Sequence, residues 1–205
     1  RLAMSILTNN VEFKDRTIEA WTGGRDGKGV IHATRTGYYI YKFIDPNLDL
    51  LQNRTSVHHW VIMRYAEILL SYAEAMNEAY GPTGNVGYRL NAVRALNQVR
   101  NRVGVEMPAV PTAISKEELR EKIRNERRVE LAFEDHRFWD VRRWMIAPET
   151  LGTPLRGVEI TKISDEEFEY KPIEVEKRTF EPKMYLYPIP QADLNTTGWV
   201  QNPLW

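Results

Sequence analysis

The sequence has no cysteine. This single absence removes disulfides, thiolate metal sites and cysteine nucleophiles together, and it leaves the compartment open. Charge of one sign is not in excess either: 28 Lys plus Arg stand against 28 Asp plus Glu. No net field would draw in nucleic acid or anionic lipid, so no nucleic-acid partner is expected. No apolar run approaches the roughly 20 residues that a bilayer-spanning helix needs. The start, Arg1-Leu2-Ala3-Met4, lacks the charged-then-apolar order of a signal peptide. Any export signal is expected ahead of Arg1, and a first residue other than methionine reads as the start of a fragment. HExxH, GxSxG, Walker and dinucleotide-glycine patterns are all missing, and the glycines near Gly23 and Gly27 lack the following helix that a phosphate cradle uses. No cofactor is expected. The four histidines offer no metal set, since His58 and His59 are neighbours that would point to opposite faces of a strand and His32 and His136 stand alone.

What is present is an ordinary globular chain. At 205 residues and 42% hydrophobic it can bury a normal core. The fold class expected is mainly α: two tetratricopeptide-like helical hairpins with irregular, short-strand segments around them. A single region over 1–205 would run in three stretches: strand and loop over 1–59, helical hairpins over 60–146, and a loop-and-strand excursion with a tail over 147–205. In the first stretch, glycines and Pro46 punctuate runs too short for helices. Its clearest strand is Thr36 to Phe43, dense in aromatic and β-branched residues. Trp21 to Arg35, with four glycines and several charges, reads as a surface loop.

From Trp60 to Tyr80 apolar residues recur at spacings of three and four, from Ile62 through Leu69 and Ala73 to Met76, with Arg64, Glu67, Ser71, Glu74 and Glu78 opposite. Gly81-Pro82 ends that helix. A second helix follows in which Tyr88, Ala92, Ala95, Leu96, Val99 and Val103 share a face and Gly104 supplies the C-terminal cap. A third opens at Ser115-Lys116-Glu117-Glu118, a capping box, and runs to about Glu134. A shorter helix from Arg137 to Met145, stopped by Pro148, completes the second hairpin. Small residues such as Ala66, Ala73, Ala92 and Ala95 give the pairs a repeat-like character. Residues 150–183 read as a long excursion with short strands. Met184 to Pro190 reads as a compact apolar strand closed by prolines, followed by an Asn/Thr/Gly-rich tail whose final Trp205 docks on the body.

Two groupings invite a chemical reading. Glu126 and Glu130, four apart on one helical face, could be paired carboxylates for hydrolysis. The helical wheel instead places them, with Arg137, on the packing side of Leu119, Ile123 and Phe133, where charges persist only when paired and hydrogen-bonded. A structural ion-pair network is the expectation, and no enzyme. The second grouping suits a sugar, whose apolar ring face stacks on an aromatic while planar polar groups bind its hydroxyls. Trp21 with Arg25 and Asp26 fits that pattern, as does Tyr39 among the alternating Tyr38, Tyr39 and Tyr41. The competing reading has Trp21 folded back onto the body and one tyrosine face in the core.

An ordered set of segments resembles the C-terminal part of the SusD/RagB family. The set comprises the region from Arg1-Leu2, the Thr36–Phe43 segment, Arg64-Tyr65-Ala66-Glu67-Ile68-Leu69-Leu70-Ser71-Tyr72-Ala73-Glu74-Ala75-Met76-Asn77-Glu78, and Ala95 to Arg102. The arginine-rich Glu126 to Trp144, Tyr185-Leu186-Tyr187-Pro188-Ile189-Pro190 and Gln201-Asn202-Pro203-Leu204-Trp205 complete it. The resemblance implies a lipoprotein on the surface of Bacteroidetes, anchored in the outer membrane through a lipid-bearing cysteine ahead of Arg1. It further implies non-catalytic binding of a glycan for a SusC-like TonB-dependent transporter. An interaction scaffold docking on the transporter, or a binder of oligopeptides, is the alternative. Two positions depart from the family pattern, both at turns: Asp135 and Leu204 stand where glycine is usual. The family's ligand contacts lie largely on variable loops, so the resemblance assigns no binding residue in this chain.

Overall fold

The computed structural model describes residues 1–205. In chain order the elements are α1 (Leu2–Ser5), β1 (Ile6–Leu7), β2 (Glu12–Phe13), β3 (Arg16–Thr17), β4 (Tyr39–Ile40), α2 (Tyr65–Tyr80), α3 (Ala92–Arg100), α4 (Lys116–Glu130), α5 (His136–Arg143), α6 (Ala147–Thr150), β5 (Leu155–Lys162), β6 (Phe168–Glu176) and α7 (Gln191–Thr197). The class is mainly α, as expected. Two compact units divide the chain: Arg1 with Asp49–Phe138, and Leu2–Leu48 with Trp139–Trp205.

The first unit is built on α2. Leu69, Leu70, Ala73 and Met76 form one core with Ala92, Val93, Ala95, Leu96 and Val99 of α3 and Leu119 and Ile123 of α4. Ala73, Ala92 and Ala95 are fully buried, so small residues let the helices approach, as their spacing suggested. α4 runs antiparallel to α2, and its polar contacts fix the register. Asn77 Nδ2 donates to Lys116 O at 2.9 Å, Arg120 grips Glu78, Arg127 Nη1 donates to Ser71 Oγ at 3.0 Å, and Arg64 grips Glu130. The capping box forms as read: Ser115 Oγ accepts from the Glu118 amide, and the Glu118 carboxylate accepts from the Ser115 amide.

The boundaries of α2, α3 and α4 differ from the periodic pattern. α2 starts at Tyr65 rather than Trp60, because Arg64 is extended (φ −146°, ψ 161°) with its guanidinium committed to Glu130 and Glu134. Ile62, periodic in sequence, is 84% exposed and gains nothing from a further turn. α3 is shorter at both ends. Asn91 caps its start by accepting from the Arg94 amide, and Arg100 and Asn97 are drawn to residues 108–110 near its end. Tyr88 and Val103 therefore lie outside the helix and are exposed, and Gly104 serves the following turn instead of a cap. α4 stops at Glu130, short of Glu134. Residues 131–135 turn with Phe133 at φ 64° and Asp135 at φ 62°, which carries Phe133 off the packing face.

The last turn of α4 carries the charge network. Glu126 and Glu130 are nearly inaccessible. Glu126 binds Arg1 and, at 2.6 Å, Arg100. Glu130 binds Arg64 at 2.7 Å, Arg102 at 2.6 Å and Arg1 at 3.3 Å. Buried Glu134 takes the other side of Arg64 at 2.7 Å. The ion-pair expectation for Glu126 and Glu130 holds.

The second unit packs Leu7, Ile18, Ala20 and Ile160 with flanking aromatic rings. β1 pairs antiparallel with β4, Leu7 opposite Tyr39. The longer strand expected over Thr36–Phe43 is reduced to this pair, because Thr36 turns to the hairpin, where its carbonyl accepts from the Val158 amide at 2.9 Å. β2 and β3 close over Lys14 and Asp15, both at positive φ, the twist that a two-residue hairpin turn requires.

The excursion over 150–183 is the largest correction. Instead of short strands it contains the longest ones, β5 and β6, paired antiparallel. Their period-two signal changes phase at Pro172, with Phe168 and Tyr170 before it and Ile173 and Val175 after. Proline is tolerated there because Val158, its partner, sends its amide to Thr36 on the far side. The pair exchanges no ladder bond, and the missing amide faces the open edge.

The region after Lys183 also differs. Met184–Pro190 forms no strand; Pro182–Tyr185 is a 3-10 turn, and the tail folds into α7. Pro148 sits in the first turn of α6 instead of only ending α5. Trp205 docks as expected, its indole Nε1 donating to the carbonyls of Lys183 and Leu186, both at 3.0 Å. Leu204, which precedes it, lies at φ 70°.

These contacts set the stability of two kinds of variant. Glu130→Ala leaves Arg102 without its carboxylate and takes one of two carboxylates from each of Arg64 and Arg1, and should lower the unfolding free energy by about 3–5 kcal/mol, whereas Glu78→Ala, on the exposed Arg120 pair, should cost less than about 1 kcal/mol; denaturant titration reads both. Leu204→Gly relieves a left-handed non-glycine residue and should raise stability by up to about 1 kcal/mol in the same assay.

Candidate functional site

The loop after Ala20 is built of successive turns. Hydrogen bonds run from Gly24 N to Trp21 O, Gly27 N to Gly24 O, Val30 N to Gly27 O and Ala33 N to Val30 O. Gly24 and Gly27 are required by close approach: a Cβ at Gly27 would collide with the Trp21 carbonyl, and one at Gly24 with Glu19 O and the Trp21 ring. Compactness here thus depends on two residues without side chains.

Asp26 ties the loop to β3. Arg16 donates two hydrogen bonds to its carboxylate, at 2.6 and 2.8 Å, and the Glu19 amide adds a third at 2.9 Å. Arg16 is the chief reason that the Asp26 carboxyl lies below the ordinary carboxylate value; burial opposes the shift and the Glu19 amide assists it. Tyr39 closes the other side. Its hydroxyl donates to Asp26 O at 2.7 Å and accepts from the Thr34 amide at 3.1 Å. Tyr39 and Tyr41 both pack on the second core, whereas Tyr38 is 43% exposed. The alternation is real, and Tyr38 is the outward ring.

Trp21 is half-buried. It packs on Phe168 with centroids 5.4 Å apart and a 34° tilt, and Lys162 Nζ lies 5.2 Å from its ring centre. Lys162 is also paired with exposed Asp165 at 2.7 Å. Arg25 is exposed, with only its backbone amide tied, to the Glu19 carboxylate at 3.1 Å. All four residues singled out in the sequence belong to this one region. Asp26 and Tyr39 hold the loop from behind, while Arg25 and part of Trp21 meet solvent. Lys162 and Phe168 escape the sequence pattern, because the alternation of their hairpin changes phase at Pro172.

The carboxylate pair that could suggest hydrolysis lies in the first unit, and each member is held by guanidinium groups. No group of three His, Asp or Glu side chains is placed to hold a metal, and no helix is long and apolar enough to cross a membrane.

This is a mainly helical chain with repeat-like helix packing and a strand-and-loop unit presenting an aromatic surface loop. It belongs to the SusD family, whose model matches residues 8–205. A SusD-like protein from Bacteroides fragilis has a similar structure, with a TM-score of 0.81 and 33% identity over 98% of this chain and 38% of its own. A second from Bacteroides fragilis, described as a SusD-like carbohydrate-binding protein, gives a TM-score of 0.70 and 31% identity over 93% of this chain and 39% of its own. SusD-like protein P2 of Formosa agariphila is 34% identical over 120 residues, 56% of this chain and 22% of that protein. The chain thus spans well under half the length of these relatives.

The Asp26 charge contributes fully above its ordinary value near 3.8 and is lost as pH falls further, through the depressed value. Hydrogen exchange at the Gly24 and Gly27 amides should therefore stay protected down to about that pH and rise below it. In Asp26→Asn protection should fall by roughly tenfold already at neutral pH, the equivalent of one charged hydrogen bond.

Proposed function

We propose that this chain is part of a non-catalytic glycan-binding protein on the bacterial cell surface, which passes oligosaccharide to a SusC-like TonB-dependent transporter in the outer membrane. Membership of the SusD family across residues 8–205 carries this reading, and a relative described as carbohydrate binding supports its ligand class. The engagement of Glu126 and Glu130 by arginine supports a binding role over a hydrolytic one. Anchoring of the intact protein is through a lipid.

In this reading the surface around Trp21 contributes to capture. The half-buried indole offers an apolar face, Arg25 a planar donor set, and Asp26 and Tyr39 keep the loop in shape. Lys162 over the ring is a displaceable cover, because its partner Asp165 is 96% exposed and an exposed pair holds little energy. The lysine can then donate to a hydroxyl.

A glycan array on the full-length protein selects a ligand for calorimetry. Trp21→Ala should weaken binding about tenfold or more with unchanged circular dichroism, and the recovered oligosaccharide should be uncleaved by mass. Unaltered affinity would remove this loop from the site, and cleavage products would overturn the non-catalytic reading.

A further inference from the structure

The first unit carries a groove of about 890 Å³ between residues 107–114 and the first turns of α4. We propose that it is a docking site for a partner protein presenting a short segment with aliphatic side chains and Lys or Arg. Its size is near the top of the range for a site that holds a compact ligand. One wall is apolar, formed by Met107, Val110, Pro111 and Ile114, and it is held in advance of any ligand. Asn97 grips the main chain of Val110 on both of its polar groups, accepting from Val110 N at 2.8 Å and donating to Val110 O at 2.9 Å. Arg100 donates to Pro108 O through Nε and Nη2 at 3.0 and 2.8 Å while bound to Glu126. Pro108 and Pro111 fix their own φ. Little conformational freedom remains to be lost on binding.

The opposite wall presents Glu117 and Glu121, one helical turn apart. Glu117 has no ion-pair partner, and Glu121 has a 3.1 Å contact with Arg124 while remaining 69% exposed. Glu118, also at the groove, is engaged in the capping box. With Arg100 neutralised by Glu126, three carboxylates face Lys122 alone among the lining cations. An apolar wall against a negative one suits aliphatic side chains alternating with cations. No aromatic ring lines the groove, so a sugar lacks its stacking face and fits less well.

Docking at this groove requires nothing of the glycan surface, and its test uses no glycan. The probe is an acetylated hexapeptide alternating leucine and lysine, titrated into full-length protein labelled with ¹³C at methionine methyls, Met107 being assigned through Met107→Leu. The Met107 resonance should move while those of Met4, Met63, Met76, Met145 and Met184 stay. Versions with glutamate for lysine, or serine for leucine, should bind about tenfold more weakly, as should the Glu117→Lys/Glu121→Lys protein, and added salt should weaken binding. The hairpin control Glu169→Lys/Glu174→Lys should change affinity by less than about twofold. A stationary Met107 at saturating peptide, equal binding of the glutamate version, or equal losses in the groove and hairpin variants would overturn the proposal.

Discussion

The first unit depends on the neutralisation of Glu126, Glu130 and Glu134 by Arg1, Arg64, Arg100 and Arg102. Two carboxylates in the last turn of α4 and a third in the turn after it would be intolerable in an apolar core if any were left unpaired. Their partners come from four separate places: the first residue, the residue before α2, the end of α3 and the turn after it. The cost of leaving a buried charge unmatched therefore fixes all four relative to α4. This constraint also accounts for helix boundaries that propensity does not explain. Arg64 must be extended to reach Glu130 and Glu134, so α2 cannot begin earlier. Arg100 must reach both Glu126 and the Pro108 carbonyl, so the chain leaves the helix there. Replacing such a network with apolar residues can be neutral or stabilising; what it supplies is a single admissible arrangement.

The second unit uses arginine against carbonyls and rings. Arg142 Nη2 donates to Met184 O at 2.5 Å and Tyr185 O at 2.6 Å, with its guanidinium 5.5 Å from the Phe180 ring centre and 5.3 Å from that of Tyr187. The segment so held is then clamped by the tail. Gln201 offers its side-chain amide to Ile189 as a strand would, accepting from N at 2.8 Å and donating to O at 2.9 Å. Asn202 Nδ2 donates to Tyr187 O at 2.6 Å. Two stretches separated in sequence, Tyr185–Pro190 and Gln201–Trp205, are thus joined through side-chain amides. That explains why the apolar run looks like a strand and is not one: its backbone groups are satisfied by side chains instead of a ladder.

Legibility in the sequence tracks the range of the interactions responsible. The Ser115 cap, the face of Glu126 and Glu130, the turn-rich loop after Trp21 and the docking of Trp205 are all legible, because each rests on local spacing or on the cost of isolating one residue type. The β5–β6 hairpin is not, since Pro172 shifts its alternation and most of its side chains face solvent. The true ends of α2 and α3 are not, since they answer to charges and carbonyls from other parts of the chain. At the candidate site the loop with Trp21, Arg25 and Asp26 is legible as one grouping, whereas Tyr39 reads only as part of a separate strand and Lys162 and Phe168 come from the unread hairpin. The roles of Asp26 and Tyr39 as supports require knowing that Arg16 and Thr34 stand behind them.

The same contest between local preference and distant contact is visible at two turn positions where the resemblance implies glycine. Asp135 and Leu204 both adopt the left-handed backbone, at φ 62° and 70°. Such a conformation costs a residue with a Cβ on the order of 1 kcal/mol, less for Asp, whose side chain tolerates it. At Leu204 the turn persists because the residue just beyond it is anchored. The Trp205 indole is held by two carbonyls. A local preference worth about 1 kcal/mol yields to anchors worth more. The Trp205 anchor thus sets the turn before it, as Arg64 and Arg100 set the ends of α2 and α3.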